Sequence, residues 1–453
     1  MTWVNDDNAA LLTDLYELTM AASYHAQDMN EPATFDLFVR ALPEHRNFLI
    51  ACGLEEALDY LERFNFDDEG IGYLSSLGSF SDSFLSRLGE LTFSGEVRAI
   101  AEGEAVFAEE PILSVTAPLI EAQIVESFLL NCITFQTMIA SKAARVAISC
   151  KGRSFVDFSL RRDHGADAGV KAARAAFVGG AAATSNVLAG AFYGIPVNGT
   201  MAHSYVMAHE DEEHAFRTFM KDCPQGTVLI IDTFDVEEGA RRAARVAHEL
   251  APQGIELRGV RIDSGDLANL TRSVRKILDE ADLEQTKIIL SGDLDEYQIE
   301  RLIADQVPVD SFGVGTQLGT SGDQPALGGV YKLVADARGP KMKLSTGKGT
   351  LPGRKQVFRV SRNGTLDHDV IGLEDEVADG RPLLDCVMKG GRRTSPPDDL
   401  TSVRERCSKS LEALPERLLA LNTNGGGYEV TTSPGLKDLI DRFGSHTPPM
   451  GSS

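Results

Sequence analysis

Five short stretches in the middle of the chain combine arginines, acids, hydroxyls and glycines in patterns suited to phosphate chemistry. They are Asp157-Phe158-Ser159 with Arg161-Arg162, Asp232-Thr233, Arg261-Ile262-Asp263-Ser264-Gly265-Asp266, Ser291-Gly292-Asp293, and Gly313-Val314-Gly315-Thr316. Glycine and hydroxyl residues let backbone N–H groups approach phosphate oxygens. Arginines supply charge and forked hydrogen bonds to phosphate or carboxylate. Carboxylates can hold ribose hydroxyls or a magnesium ion, which prefers oxygen ligands and keeps several waters. Each piece alone is weak, since a Gly-x-Gly more often makes a tight turn and an Asp-Ser-Gly more often caps a helix. Their recurrence is the stronger argument.

His203 lies in Asn198-Gly199-Thr200-Met201-Ala202-His203-Ser204, a loop leading into an expected helix. Imidazole can act as base, metal ligand or phosphoryl acceptor. An isolated histidine is more often bonded to backbone in a core or set near a helix start. His209 follows six residues on, a spacing that does not bring two side chains to one helix face, which argues against a metal pair. Tyr16 and Phe158 read first as core packing. As an aromatic pair they could instead sandwich a flat heteroaromatic ring.

The elements that must position these residues fall in three regions. From about 151 to 335, short β-branched runs alternate with amphipathic helices. The expected strands are Ser154 to Phe158, Val228 to Asp232, Leu257 to Asp263, Lys287 to Leu290 and Ser311 to Val314. The expected helices include Val236 to Leu250, Leu267 to Ala281 and Glu296 to Ala304. Strands separated by helices predict parallel βα units, with ligands at the carboxyl ends of the strands. Residues 1–150 read as an α+β mixture: helices over Ala10 to Tyr24 and Leu54 to Phe64, an alternating strand over Thr34 to Val39, short strands within Glu96 to Val115, and a long helix from Ile120 to Ile148. Residues 336–453 return to mixed texture. Lys341 to Ser345 and Gln356 to Ser361 look like strands, Ser402 to Ala420 like a helix, Asn422 to Gly427 like a flexible loop, and the tail after Ser445 like a mobile end.

Composition narrows the function classes. The chain has 453 residues, 43% hydrophobic and 25% charged, which is ordinary for a soluble globular protein. Asp plus Glu is 67 and Lys plus Arg 44, a net charge of −23. That field opposes binding to nucleic acid or anionic membrane, so anionic substrates would need cations gathered in one pocket. Six cysteines without a CxxC pair fit neither a zinc site nor a disulfide framework, and a reducing cytoplasm suits them best. The start Met1-Thr2-Trp3-Val4-Asn5-Asp6-Asp7 does not read as a signal peptide, and the longest apolar stretch is broken by Glu121, Glu126 and Lys142, unlike a membrane span.

Several motifs in fixed order resemble the nicotinate phosphoribosyltransferase family, of the type II phosphoribosyltransferases. They are Thr13-Asp14-Leu15-Tyr16-Glu17-Leu18-Thr19-Met20, Gly199 to Ser204, Arg261 to Leu267, Phe312 to Thr316, Pro382-Leu383-Leu384 through Arg393, and Ser433-Pro434-Gly435-Leu436. The resemblance covers about residues 8 to 443. It implies an irregular, TIM-like α/β barrel flanked by N-terminal and C-terminal α+β parts, and a homodimer with active sites at the subunit interface. It implies transfer of phosphoribosyl from phosphoribosyl pyrophosphate to nicotinate, coupled to ATP hydrolysis, at the entry to NAD salvage. By motif, Tyr16 (donated by the partner subunit) and Phe158 would stack on the pyridine ring. Arg161, Thr200 and Arg261 would surround its carboxylate and the adjoining phosphate. His203 would be phosphorylated by ATP. Asp263, Ser264, Gly292, Asp293, Gly313, Gly315 and Thr316 would hold the ribose and 5′-phosphate, and Asp232 and Asp263 would bind magnesium through water.

Nicotinamide-using relatives carry an aspartate opposite Ser185, where a carboxylate would repel nicotinate and serine does not; an ordinary buried serine is the competing account. The Asp163-His164-Gly165 sequence departs from the family's usual pattern. Three other readings stand beside this one: a nicotinamide phosphoribosyltransferase, a quinolinate phosphoribosyltransferase (a shorter family without the His203 motif), and a non-catalytic phosphate- or nucleotide-binding barrel.

Overall fold

The βα alternation read from the middle of the chain folds into a single parallel sheet. A computed structural model describes residues 4–344, 349–422 and 427–445. The chain divides into two units, residues 139–325, and residues 1–138 together with 326–453.

In the first of these units the strands are β1 (Ser154–Asp157), β2 (Ala183–Thr184), β3 (Val228–Ile230), β4 (Gly259–Ile262), β5 (Lys287–Leu290) and β6 (Ser311–Val314). They lie in the order β2-β1-β6-β5-β4-β3, and every pairing is parallel. Read from β3, each strand is followed by the next in the chain, and β6 then lies beside β1. This is the circular order of a singly wound barrel with one junction left open, between β2 and β3. Thr184 of β2 makes one further parallel bridge to Val197. The closed barrel expected from the resemblance is therefore observed as a six-stranded parallel array; among the described residues no strand pairing joins β2 to β3.

The strands are short runs such as Val-Leu-Ile and Lys-Ile-Ile-Leu, and crossover helices bury them as parallel strands require. Those helices start at side-chain caps. Asp235 accepts from Glu238 N–H, Asp266 from Asn269 N–H, and Asp295 forms a reciprocal capping box with Gln298. Helix Val236–Leu250 turns a face of small residues inward, with Ala240, Ala243, Ala247 and Leu250 at three- and four-residue spacing. With Ser154 level with Ser311 and Lys287 with Gly259, all six carboxyl ends open on one side of the sheet.

The other unit is built on a seven-stranded antiparallel sheet. Its order is Gly339–Pro340, Gly329–Asp336, Pro32–Val39, Pro111–Pro118, Glu96–Ile100, Leu384–Lys389, Arg392–Arg393. The sequence reading separates residues 1–150 from 336–453. The pairing of Leu384–Lys389 with Glu96–Ile100 joins them in one body. Strand Pro32–Val39 is buried on both faces rather than alternating, because Thr34 bonds Thr116 at 2.9 Å and Asp36 pairs with Lys355 at 2.8 Å.

Some element boundaries differ from expectation for local reasons. The helix expected from Ala10 begins at Leu15 and runs to Ala26, after a separate turn at Ala9–Leu11. The stretch 120–148 forms two helices, Leu119–Ile124 and Glu126–Ser149. The helix expected over 402–420 is Leu400–Ala413 followed by Glu416–Leu419. Pro415 lacks an N–H and holds Leu414 extended, which divides the two. Gln356 to Ser361 lies within strand Lys355–Arg362. Residues 341–344 form no strand: after one bond from Lys341 N–H to the Val334 carbonyl, the chain leaves the sheet edge at Pro340 without a partner strand. Ser345, the loop residues 423–426 and the tail after 445 lie outside the described residues. No helix among the described residues is long and apolar enough to cross a membrane.

Candidate active site

The carboxyl ends of β3, β4 and β5 are tied together by side chains. Asp232, just past β3, is buried, and its Oδ2 accepts from Asp263 N–H at 2.9 Å and from Ser264 Oγ at 2.8 Å. Asp263, just past β4, accepts from Ser291 Oγ at 2.5 Å. Gly292 follows with φ +99°, and a Cβ there would lie 1.9 Å from the Asp263 carbonyl oxygen, so only glycine allows this approach. Asp293 is exposed and has φ +48°.

His203 is the first residue of the short helix His203–Met207. Its Nδ1 is 3.1 Å from Thr233 Oγ1, and its Nε2 is 4.0 Å from Asp232 Oδ1. That Oδ1 is buried and has no hydrogen-bond partner among the described residues. The imidazole itself is 39% exposed, so solutes can reach it.

Arg261 projects from β4. Its Nη1 donates to Thr200 Oγ1 at 2.6 Å and its Nη2 to the Met201 carbonyl at 3.3 Å, while Nε is buried and has no hydrogen-bond partner among the described residues. The guanidinium lies 5.9 Å from the centre of the Phe158 ring. Burial lowers its pKa from the ordinary arginine value, the carboxylates of Asp263 and Asp232 oppose that shift, and the charge of Arg161 adds to it. An anion between two guanidinium groups would relieve repulsion of this kind.

Phe158 is half-buried, and its ring rests on Gly313, where a Cβ would come within 2.4 Å of ring carbons. A Cβ on Gly315 would lie 3.4 Å from the Phe158 carbonyl oxygen, and Thr316 opens the turn Thr316–Gly319. Ser185, past β2, is half-buried and donates its backbone N–H to the Asp157 carbonyl at 2.8 Å. Arg161 and Arg162 are exposed on the turn Leu160–Arg162.

Sequence reasoning placed Asp157, Thr233 and Ser291 in the phosphate-suited stretches but gave none of them a role of its own. Asp157 is buried under the Phe158 turn and accepts from Ser159 N–H (2.9 Å), Ser159 Oγ (2.6 Å) and Thr184 Oγ1 (2.7 Å). Burial holds its pKa above the usual carboxylate value. Its position at a strand end, like that of Asp232, was the available signal.

Tyr16 belongs to the other unit. It is half-exposed and lines a cavity of about 480 Å³ with Asp14, Glu126, Ser127, Asn131 and Thr134. Burial and the nearby Glu126 and Glu17 carboxylates push its phenol above the ordinary value. Glu17 beneath it accepts from Thr13 Oγ1 and from Ser127 Oγ, the latter at 2.8 Å.

Magnesium fits the donor set at β3 and β4 in part. The unpartnered Oδ1 of Asp232 and the carboxylate of Asp263 are oxygen ligands of the kind a hydrated ion takes, one or two at a time. Among the described residues no group of three or more His, Cys, Asp or Glu side chains forms a protein cage for a metal.

Cationic, hydroxyl, glycine and carboxylate groups gather at the carboxyl ends of a circularly ordered parallel sheet, the position at which α/β proteins of this kind hold their ligands. Residues 11–134 match the nicotinate phosphoribosyltransferase (NAPRTase) N-terminal domain, and residues 153–334 match the nicotinate phosphoribosyltransferase (NAPRTase) family. The chain is 45% identical over 435 residues to nicotinate phosphoribosyltransferase pncB2 of Mycobacterium tuberculosis (strain ATCC 25618 / H37Rv), spanning 96% of this chain and 94% of that one. It is 44% identical over 392 residues to the nicotinate phosphoribosyltransferase of Bacillus subtilis (strain 168), spanning 84% and 79%. The crystal structure of human nicotinic acid phosphoribosyltransferase superimposes with a TM-score of 0.86 at 28% identity, over 95% of this chain and 99% of that chain. The chain belongs to the nicotinate phosphoribosyltransferase family.

Proposed function

We propose that this chain transfers the phosphoribosyl group of phosphoribosyl pyrophosphate to nicotinate, giving nicotinate mononucleotide and pyrophosphate in NAD salvage, with ATP hydrolysis coupled through His203. The observation that carries the reading is Arg261, held by Thr200 and Met201 beside the Phe158 ring, with Arg161 close enough to perturb it. A flat ring bearing a carboxylate matches an aromatic face flanked by guanidinium groups.

The pyridine nitrogen attacks C1′ with its lone pair as the C1′–O bond to pyrophosphate breaks. Pyrophosphate leaves with the bonding electrons, and positive charge develops on the ribose. Asp232 and Asp263 stabilise that charge. Holding the ring against Phe158 supplies most of the rate through orientation. Magnesium, when bound through water by Asp232 and Asp263, would neutralise the leaving group. Ser185 presents no carboxylate to repel the substrate acid.

With Nδ1–H donating to Thr233 Oγ1, the Nε2 lone pair of His203 is left to accept the γ-phosphoryl group of ATP as ADP departs. Water then releases phosphate. The phosphorylated ring carries about −1.5 to −2 extra charge at the mouth of the site. That charge reorganises the pocket and links ATP to product. Tyr16 from a partner subunit closes the pyridine pocket of the homodimer. The six cysteines are free thiols, which suits a reducing cytoplasm.

The test is product detection from nicotinate, nicotinamide and quinolinate side by side, with and without ATP. Nicotinate mononucleotide formed faster with ATP is the expected result. Turnover of nicotinamide or quinolinate in its place would overturn the substrate assignment, and binding of phosphoribosyl pyrophosphate without turnover would indicate a sensor.

A further inference from the structure

The Asp163-His164-Gly165 segment puts a second carboxyl group beside Asp157. Ser159 Oγ lies between them, 2.6 Å from Asp157 Oδ1 and 3.2 Å from Asp163 Oδ2. A serine hydroxyl has one proton to give. The shorter distance assigns it to Asp157, which also holds the Ser159 N–H at 2.9 Å. The contact with Asp163 is then attractive only when Asp163 supplies the proton.

Asp163 sits in a socket shaped for it. A Cβ on Gly319 would lie 1.9 Å from its Oδ1, and one on Gly169 would lie 3.1 Å from its Oδ2. Oδ1 is buried and has no hydrogen-bond partner among the described residues. The backbone closes the same turn, with Arg162 N–H on the Ser159 carbonyl at 2.6 Å and Gly165 N–H on the Asp163 carbonyl at 2.8 Å. Arg161 lies inside the first of these two turns.

We propose that Asp163 is a positioning residue for the pyridine-acid substrate: in its acid form it donates to Ser159 and locks the Arg161 turn to the end of β1, an inference that rests on the function proposed above. Burial first, and then the like charge of Asp157, raise its carboxyl to about 6, while the Ser159 hydroxyl and then His164 oppose the shift. The surrounding elements bring few other charges. Turn Thr316–Gly319 presents Gly319, and helix Ala166–Val178 presents Gly169, with Asp167 and Lys171 of that helix paired at 2.7 Å. Arg161 and Arg162 are exposed. As pH rises past about 6 the lock loses its proton, two carboxylates face one hydroxyl, and Arg161 is held less firmly.

The experiment compares the KM for nicotinate of the full-length wild type, Asp163→Asn and Asp163→Ala from pH 5.5 to 8. The wild-type KM is expected to rise about 3- to 10-fold across that range with kcat little changed. Asp163→Asn, whose amide donates at every pH, keeps the low value throughout, and Asp163→Ala shows the high value throughout. Other titrations are common to all three proteins and cancel. A pH profile of Asp163→Asn that follows the wild type overturns the proposal, even if Asp163→Ala fails to fold. If the wild type makes no product from nicotinate, the function reading fails first. The lock is then read from amide hydrogen exchange in residues 159–165, normalised to intrinsic rates. Protection that falls with pH in the wild type but not in Asp163→Asn supports it, and equal behaviour overturns it.

Discussion

His203 Nε2 faces the buried Oδ1 of Asp232 at 4.0 Å, while the other oxygen of the same carboxylate organises the β4 loop through Asp263 N–H and Ser264. One side chain thus connects the imidazole to the loop that follows β4. Any change of charge at the ring is felt by a group that also fixes Asp263.

Asp232→Asn tests that connection. An amide can keep its oxygen on Asp263 and Ser264 and turn its NH2 to the imidazole, so the fold is retained. The expected result is a loss of about 100-fold in product formation and loss of stimulation by ATP. The measurement is nicotinate mononucleotide formed per ATP consumed, with circular dichroism to check folding.

Arg261→Lys keeps the charge and removes the fork. Lysine cannot bond both Thr200 Oγ1 and the Met201 carbonyl in one plane. The expected loss in kcat/KM for nicotinate is about 30- to 100-fold, most of it in KM, while the KM for ATP changes little. Steady-state kinetics with each substrate varied in turn separates the two.

Gly313→Ala places a methyl group where the Phe158 ring now lies, 2.4 Å from two of its carbons. The ring must shift, at a cost of about 1–3 kcal/mol in stability. The KM for nicotinate is expected to rise about 10-fold, because the displaced ring no longer offers its face. Thermal unfolding and nicotinate titration report the two effects separately.

Glu17 gives a pH signature to the stability of the larger unit. Burial raises its carboxyl to about 7, against the hydroxyls of Thr13 and Ser127, which favour the charged form. Its pKa is higher folded than unfolded, so the native state binds more protons between about pH 4.5 and 7, and stability falls as pH rises through that window. The expected decline is about 2 kcal/mol, less than the full shift implies because of the remaining polar partners. Denaturant unfolding at pH 4.5 and 7.5 should show this difference in the wild type and a flattened one in Glu17→Gln.

Much of the parallel sheet was legible because its elements are short and strongly patterned. Lys287 to Leu290, Ser311 to Val314, Val236 to Leu250 and Glu296 to Ala304 appear with the expected bounds. Periodicity and caps determine these locally. The grouping of Arg261, Asp232 and Asp263 was legible for the same reason, since strand ends align whenever the strands are parallel, whereas His203 opens a helix and was singled out by its motif. What failed depends on distant partners. Nothing near Leu384 announces that it will pair with Ile100, and nothing in residues 341–344 announces that no strand pairs with them among the described residues. The socket around Asp163 was equally hidden, since it depends on the missing side chain of Gly319, far along the chain, as well as on that of nearby Gly169.

The junction of Leu384–Lys389 with Glu96–Ile100 has a consequence for synthesis. All six parallel strands have been translated by residue 314, whereas the antiparallel sheet begun at residue 32 still awaits its last partners near residue 393. On the ribosome, the amino-terminal hairpins must therefore remain unfinished for the length of almost the whole message. Any nonsense codon before that point leaves an open sheet edge, which is the kind of surface that aggregates and that proteases and chaperones engage.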